Sequence, residues 1–293
     1  MKTSEETLLL SRHFGDKRAV EILAGAGFEC IDYSMNDMST PNHRLNQPDC
    51  LEYANALREY GESIGVGFNQ AHAPFEFVAR DEDVLPEIIS LTTRSIQIAS
   101  ILGVDTLIVH PVHKFCRARN LNEMWSCNLK FYETLLPAAQ KEGVRICTEN
   151  LFQINERETA VPDLFSDAER YCKFLDAFDD PYLTACIDVG HAFLIGSSPG
   201  DLIRALGHDR LHALHIHDNQ AIQDDHTLPY FGKIDWEDVT LALAEIDYDG
   251  VFTLESFEFY SRFPDDFLET AAKWQHDMAA YLADKIEEKK KCY

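Results

Sequence analysis

Cys-x-x-Cys is absent from a chain with eight cysteines, which removes zinc ribbons and thioredoxin-type redox pairs. Three cysteines, Cys30, Cys147 and Cys186, fall inside apolar strand-like runs, where a free thiol behaves as a small hydrophobe. That usage fits a reducing cytoplasm. Basic charge is also scarce: 26 Lys and Arg stand against 50 Asp and Glu, a net charge of −24. Affinity for a phosphate backbone comes mainly from Lys and Arg, so nucleic acid is not an expected partner. No run approaches the roughly 20 apolar residues of a membrane span, and the N-terminus has Glu5 and Glu6 where a secretory signal has bases. No Gly-x-Gly-x-x-Gly follows the first strand, against an open dinucleotide-binding sheet. No Pro/Ser/Gly-rich linker or composition break divides the chain, so residues 1–293 read as one domain.

What is present is a repeat. Short β-branched runs at 28–33, 66–69, 104–110, 144–149, 184–188, 211–216 and 251–255 read as strands, with a weaker first strand at 8–11. Between them lie helical patterns: Ile88, Leu91, Ile98 and Leu102 share one face, and Trp125, Leu129, Tyr132, Leu136 and Ala139 another. Gly27, Gly103, Gly143 and Gly250 each fall where a helix hands over to a strand, a position that suits a left-handed cap. Asp235 reads as an N-cap. The interval before 211 is short and leaves space for a short helix around 201–206. Parallel strands need a crossover between them, and eight such units without a break give a (β/α)₈ TIM barrel of the α/β class, whose usual length of about 250 residues this chain accommodates.

A barrel enzyme works at the C-terminal ends of its strands. Here six successive strands end in His72, His110, Glu149, Asp188, His215 and Glu255. One such residue is ordinarily a satisfied hydrogen-bonding group; six converging on one mouth are not explained as caps. Glu149, Asp188, His215 and Glu255 supply three carboxylates and one imidazole from four consecutive strands, a donor set that suits Mn²⁺, Mg²⁺ or Co²⁺ and does not exclude Zn²⁺. Buried acids gathered without a cation repel one another.

In this order the motifs resemble the sugar phosphate isomerase/epimerase family of the xylose isomerase-like TIM barrels, which shares its fold with endonuclease IV. They are His72-Ala-Pro, Val109-His110-Pro111, Thr148-Glu149-Asn150, Asp188-Val-Gly-His191, His215-Ile-His217-Asp218-Asn219, Asp224-Asp-His226, Gly232-Lys-Ile-Asp235-Trp236 and Leu254-Glu255. The resemblance implies metal ligation by Glu149, Asp188, His215 and Glu255. It also implies that Glu149 and Glu255 are the two acids that exchange protons with substrate carbon. His191 and His217 match positions that touch substrate or a further metal. His72, His110, Asp224 and His226 match additional ligands of the three-zinc endonuclease-type site, so one to three ions are expected. The chain departs from the family at Pro229-Tyr230-Phe231-Gly232, which is bulkier than the usual Pro-Gly-Glu-Gly and has no acid.

The expected activity is metal-dependent isomerisation or epimerisation of a sugar or sugar phosphate by proton transfer next to a carbonyl. Lys114, Arg117 and Arg119, a small basic cluster beyond His110, are candidates to hold a phosphate or carboxylate. Phe75, Phe77, Phe152, Phe193 and Phe257 are candidates to wall a sugar ring. Two alternatives stand beside this: a three-zinc phosphodiesterase, which the ligand count favours and the charge opposes, and a non-catalytic sugar-binding barrel, which has no need of paired acids. The expected setting is the cytoplasm, with the choice between monomer and homo-oligomer open.

Overall fold

The first strand of the barrel is polar. In the computed structural model, which describes residues 1–74, 78–79, 85–114 and 121–292, Thr3–Glu6 forms β1 with all four residues buried. The leucines expected to form a strand at 8–11 instead open a short helix, Leu8–Phe14. A three-residue apolar run does not distinguish strand from helix, and β1 carries no apolar run at all.

The remaining barrel strands are β2 (Cys30–Ser34), β3 (Gly67–His72), β4 (Thr106–Ile108), β5 (Arg145–Glu149), β6 (Leu183–Asp188), β7 (Leu211–His215) and β8 (Phe252–Leu254). All are parallel and lie in chain order around the sheet, with β1 between β2 and β8. Between β7 and β8 the ring closes through a single parallel bridge, Ile216 to Leu254. There Ile216 N donates to Thr253 O and Glu255 N to Ile216 O, both at 3.0 Å.

One long helix follows each strand: α1 (Asp16–Ala26), α2 (Cys50–Ser63), α3 (Leu85–Leu102), α4 (Leu121–Glu142), α5 (Ala168–Asp176), α6 (Pro199–Arg210), α7 (Trp236–Glu245) and α8 (Leu268–Lys290). The interval before β7 holds more than the short helix expected. It contains Val189–Leu194 and a twelve-residue α6, capped by the Ser198 side chain and broken at Gly207 with φ 69°. Asp235 caps α7 as expected, its side chain accepting from Glu237 N and Asp238 N. Gly27, Gly103 and Gly143 do adopt positive φ, whereas Gly250 does not. Gly250 is needed for space instead: a Cβ there would sit 2.3 Å from the Tyr248 hydroxyl. Among the described residues no helix is long and apolar enough to cross a membrane.

Inside the ring, one side is apolar, with Ile108, Cys147, Cys186 and Ala213 packed together. The other side is polar: Gln70 Nε2 donates to Asp32 Oδ2 at 2.7 Å, and Thr253 Oγ1 donates to Gln70 Oε1 at 3.3 Å. The outer layer of helices buries the large core, including Trp236, Tyr132, Phe131 and Phe174.

Candidate metal centre

Parallel register sets the mouth. Asp188 pairs with His215 across β6 and β7, and Glu149 pairs with Cys186 across β5 and β6. His72 and Glu149 end their strands, while His110 and Glu255 stand just beyond β4 and β8. The ten titratable residues singled out at the mouth fall into three adjoining groups.

The central group is Glu149, Asp188, His215 and Glu255, all buried, each with one donor atom within 4.8 Å of the other three. His215 Nδ1 lies 3.2 Å from Glu149 Oε2 and 3.4 Å from Glu255 Oε2. Beside it stand His72 and His110, whose Nε2 atoms lie 3.7 and 3.1 Å from the same Glu149 Oε2. The outer group is His191, His217, Asp224 and His226. Asp224 Oδ2 is 2.9 Å from His226 Nε2 and 3.2 Å from His191 Nε2. His217 Nε2 links this group to the central one, 3.0 Å from the Asp188 carboxylate and 3.8 Å from Asp224 Oδ1.

Local structure explains the placement. Asp188 is both the end of β6 and the N-cap of Val189–Leu194, its Oδ1 accepting from His191 N at 2.6 Å. Asn150 locks β5 to β6, donating to Asp188 O at 2.8 Å and accepting from Asp188 N at 2.9 Å. Asp224 and His226 ride on the loop after β7. That loop holds Ala221, His226 and Tyr230 at φ 60°, 36° and 70°. Such left-handed backbone costs about 1–3 kcal/mol per residue and persists where surroundings enforce it.

The enforcing residue is Asp218, which the motif contains but to which the sequence assigned no role. Its Oδ1 accepts from Asn219 N (2.8 Å) and Ile234 N (3.1 Å), and its Oδ2 from Tyr230 N (3.0 Å) and Trp236 Nε1 (2.9 Å). A Cβ on Gly232 would lie 2.1 Å from Asp218 Oδ1, so the Gly232-x-Ile-Asp-Trp segment closes on this carboxylate.

Electrostatics separate the two glutamates. Burial pushes Glu149 up, but His215 and His110 outweigh it and hold its carboxyl well below the usual range. Burial holds Glu255 well above that range, with Glu149 and Asp188 adding to the rise and His215 and His226 opposing it. Burial draws His110 down to about 4. Burial opposes the charge on His226 too, yet Asp224 and Glu255 raise it to about 10. On β1, burial and Asp32 push Glu6 up to about 7. Cys186 also approaches Glu149 and His215, and burial keeps its thiol well above its usual value, which disfavours the thiolate a metal ligand requires.

The donor sets fit a divalent cation. His215 Nδ1, Glu255 Oε2, Asp224 Oδ1 and His217 Nδ1 are buried without a hydrogen-bond partner, an expensive state for polar atoms unless a ligand satisfies them. Of the aromatic candidates, Phe257 stacks on His226 at 4.5 Å and Phe152 meets His191 edge-on at 5.1 Å. Phe193 packs instead against the core. Arg117, Arg119, Phe75 and Phe77 lie outside the described residues. Lys114 belongs to a two-residue strand, His113–Lys114, paired with Val78–Ala79. Tyr230 and Phe231 of the divergent rim are 48% and 56% exposed.

A family model described as a xylose isomerase-like TIM barrel matches residues 20–283. An uncharacterized protein, y4fM, of Sinorhizobium fredii is 28% identical over 164 residues, 55% of this chain and only 50% of that protein. The chain thus spans about half the length of that relative. A Synechocystis protein named "Probable ketose 3-epimerase" is 27% identical over 237 residues, covering 78% of this chain and 76% of its own. The crystal structure of a D-tagatose 3-epimerase-like protein superposes with a TM-score of 0.75 at 21% identity over 99% of each chain.

Proposed function

The chain belongs to the xylose isomerase-like TIM barrel family, and from that premise we propose that it is a divalent-metal-dependent epimerase or isomerase of a sugar or sugar derivative. The whole chain acts as one catalytic domain, in the cytoplasm. The relatives' names support the substrate class: one is named as a ketose 3-epimerase and one solved structure as D-tagatose 3-epimerase-like.

The carrying observation is the pair Glu149 and Glu255. They come from β5 and β8, flank one four-ligand group, and are pushed in opposite directions in pKa. Paired titratable groups with opposed environments are the mark of acid/base assignments. Glu149, Asp188, His215 and Glu255 would hold the cation, for which three carboxylates and one imidazole favour Mn²⁺, Mg²⁺ or Co²⁺. A bound cation polarises a carbonyl and its neighbouring hydroxyl, making the proton on the carbon between them more acidic. Glu149 and Glu255, on separated strands around the mouth, would be the pair that removes that proton and returns one, each acting as base toward one epimer. Phe152 and Phe257 line the approach beside His191 and His226. Lys114, Arg117 and Arg119 remain the candidates for a substrate phosphate.

Solvent-deuterium exchange into a panel of ketoses tests this. Loss of a general base costs about 10²–10⁴ in rate. Glu149→Gln is expected to exchange one epimer of a substrate pair and Glu255→Gln the other. Parent-like turnover by both variants with metal bound would refute the acid/base assignment. The three ligand groups favour a second reading, a three-metal phosphodiesterase of the endonuclease IV kind. Cleavage of an abasic phosphodiester without exchange of any ketose proton would establish that reading instead.

A further inference from the structure

Three imidazoles of the centre place Nδ1 on a backbone carbonyl, and in two of them the same nitrogen also lies near a ligand carboxylate, His191 Nδ1 3.3 Å from Glu149 Oε1 and His226 Nδ1 3.5 Å from Glu255 Oε2. His72 Nδ1 lies 2.6 Å from Ala73 O, His191 Nδ1 3.0 Å from Asn150 O, and His226 Nδ1 2.9 Å from Glu255 O. His215 is built differently. It presents Nδ1 to Glu149 and Glu255, and its Nε2 points back into the barrel, 3.4 Å from Asp32 Oδ2, an approach that stops short of a hydrogen bond and leaves Nε2 buried without a partner.

Asp32 has no place in the catalytic reading above. It lies on β2, fully buried, with Oδ1 lacking any hydrogen-bond partner. A buried, incompletely satisfied carboxylate is costly to keep. Gln70 pins its Oδ2 with a 2.7 Å bond, and Thr253 in turn donates to Gln70. Thr253 stands two residues before Glu255 on β8. A continuous polar chain, Thr253–Gln70–Asp32, therefore crosses the ring beneath the central group and brings a carboxylate within 3.4 Å of the far nitrogen of one ligand. Glu6 stands beside Asp32 in register.

We propose that Asp32 is a positioning residue for the metal centre: its carboxylate takes the Nε2–H of His215 and so commits Nδ1 to the cation. A carboxylate accepts a charge-assisted hydrogen bond, stronger than the carbonyl bonds of the other imidazoles. It fixes the tautomer and ring orientation and makes the ligating nitrogen a better donor. His215 is then the imidazole tuned for the central ion, while His72, His191 and His226 are oriented without that gain.

This inference rests on the metal reading proposed above, and its test separates the two. Co²⁺ is titrated into the full-length metal-free protein, its Asp32→Leu and Asp32→Asn variants, and His215→Ala as reference. Affinity is followed by calorimetry, and the central ion by the visible absorption that His215→Ala lacks. Thermal melting of the metal-free proteins reports folding. Asp32→Leu is expected to weaken the central ion about 10–100-fold and to change its spectrum, as loss of a ligand's hydrogen-bond partner does elsewhere. Asp32→Asn keeps an oxygen that can accept from both Gln70 and His215, and is expected to recover much of the affinity. Central-ion affinity within twofold of the parent and an unchanged spectrum in folded Asp32→Leu would overturn the role of Asp32 alone. A parent with no His215-dependent Co²⁺ site would overturn the metal reading and this inference with it.

Discussion

Glu149, Asp188, His215 and Glu255 stand on or beside four consecutive strand ends, tied into the sheet by its ladder. Asp224 and His226 stand on a loop that reaches the same mouth from outside the sheet. The first four are buried; Asp224 and His226 are 22% and 12% exposed. Strand ends are the more rigid support, and a loop brought to comparable order needs dedicated hydrogen bonds and tolerates strain. The positive φ angles at Ala221, His226 and Tyr230 and the four donors gathered by Asp218 are that support. The two regions therefore predict different failures: the sheet-borne group is lost by changing a ligand, and the loop-borne group also by changing what holds the loop.

Asp188→Asn is expected to show the largest effect, because Asp188 belongs to the central group and also faces His217 at the edge of the outer one. Affinity for the central ion should fall by more than the roughly 10–100-fold that loss of an outer hydrogen-bond partner causes, and turnover should fall with it. Elemental analysis of the purified variant beside its steady-state rate checks this. Full metal content with parent-like turnover would remove Asp188 from the centre.

Asp224→Asn sharpens the contrast. Asp224 joins His191 to His226 and has no part in the central group. Its loss should remove an outer ion while the His215-dependent ion stays. Metal stoichiometry should drop by one equivalent, with a smaller effect on rate than Asp188→Asn. A variant that loses both ions would show that the groups are one cooperative site, and the comparison between them would fail.

The same division explains what the sequence made legible. A strand end is visible as an apolar run that stops at a polar residue, so six of the eight ends could be read directly from His72 to Glu255. The outer pair, Asp224 and His226, has no such signature, and only the resemblance of the whole motif series pointed to them. The first strand lies at Thr3–Glu6 and not at 8–11 because its four residues are polar though buried, and hydrophobic periodicity is silent where a barrel interior is hydrophilic. Asp32 was hidden for the opposite reason, as one acid inside the apolar run at 28–33. Which face of β2 it occupies depends on register with Gln70 and Glu6, information that one strand does not carry. The helix α6 is longer than the short interval before 211 suggests because it runs straight into β7, with Leu211 as its C-cap.

The smallest expected effect belongs to Asp218→Asn, which leaves every candidate ligand in place. The aspartate accepts two hydrogen bonds on each oxygen. In asparagine one oxygen becomes an NH₂, which faces two N–H donors and can accept from neither. If the amide settles with its nitrogen toward Trp236, the indole N–H and Tyr230 N lose their partner; with the opposite orientation, Asn219 N and Ile234 N do. An unsatisfied buried donor costs about 1–3 kcal/mol, and a chain of this size loses roughly 2–4 °C of melting temperature per kcal/mol. The strain at His226 and Tyr230 is then no longer held, so the loop can relax and carry Asp224 and His226 with it. The variant is therefore expected to melt several degrees lower and to bind the outer ion more weakly, while the ion at His215 keeps its affinity. Calorimetric titration with metal, read beside the melting curve, checks both. Unchanged outer affinity in a destabilised variant would show that the loop is held by the metal ligands themselves rather than by Asp218.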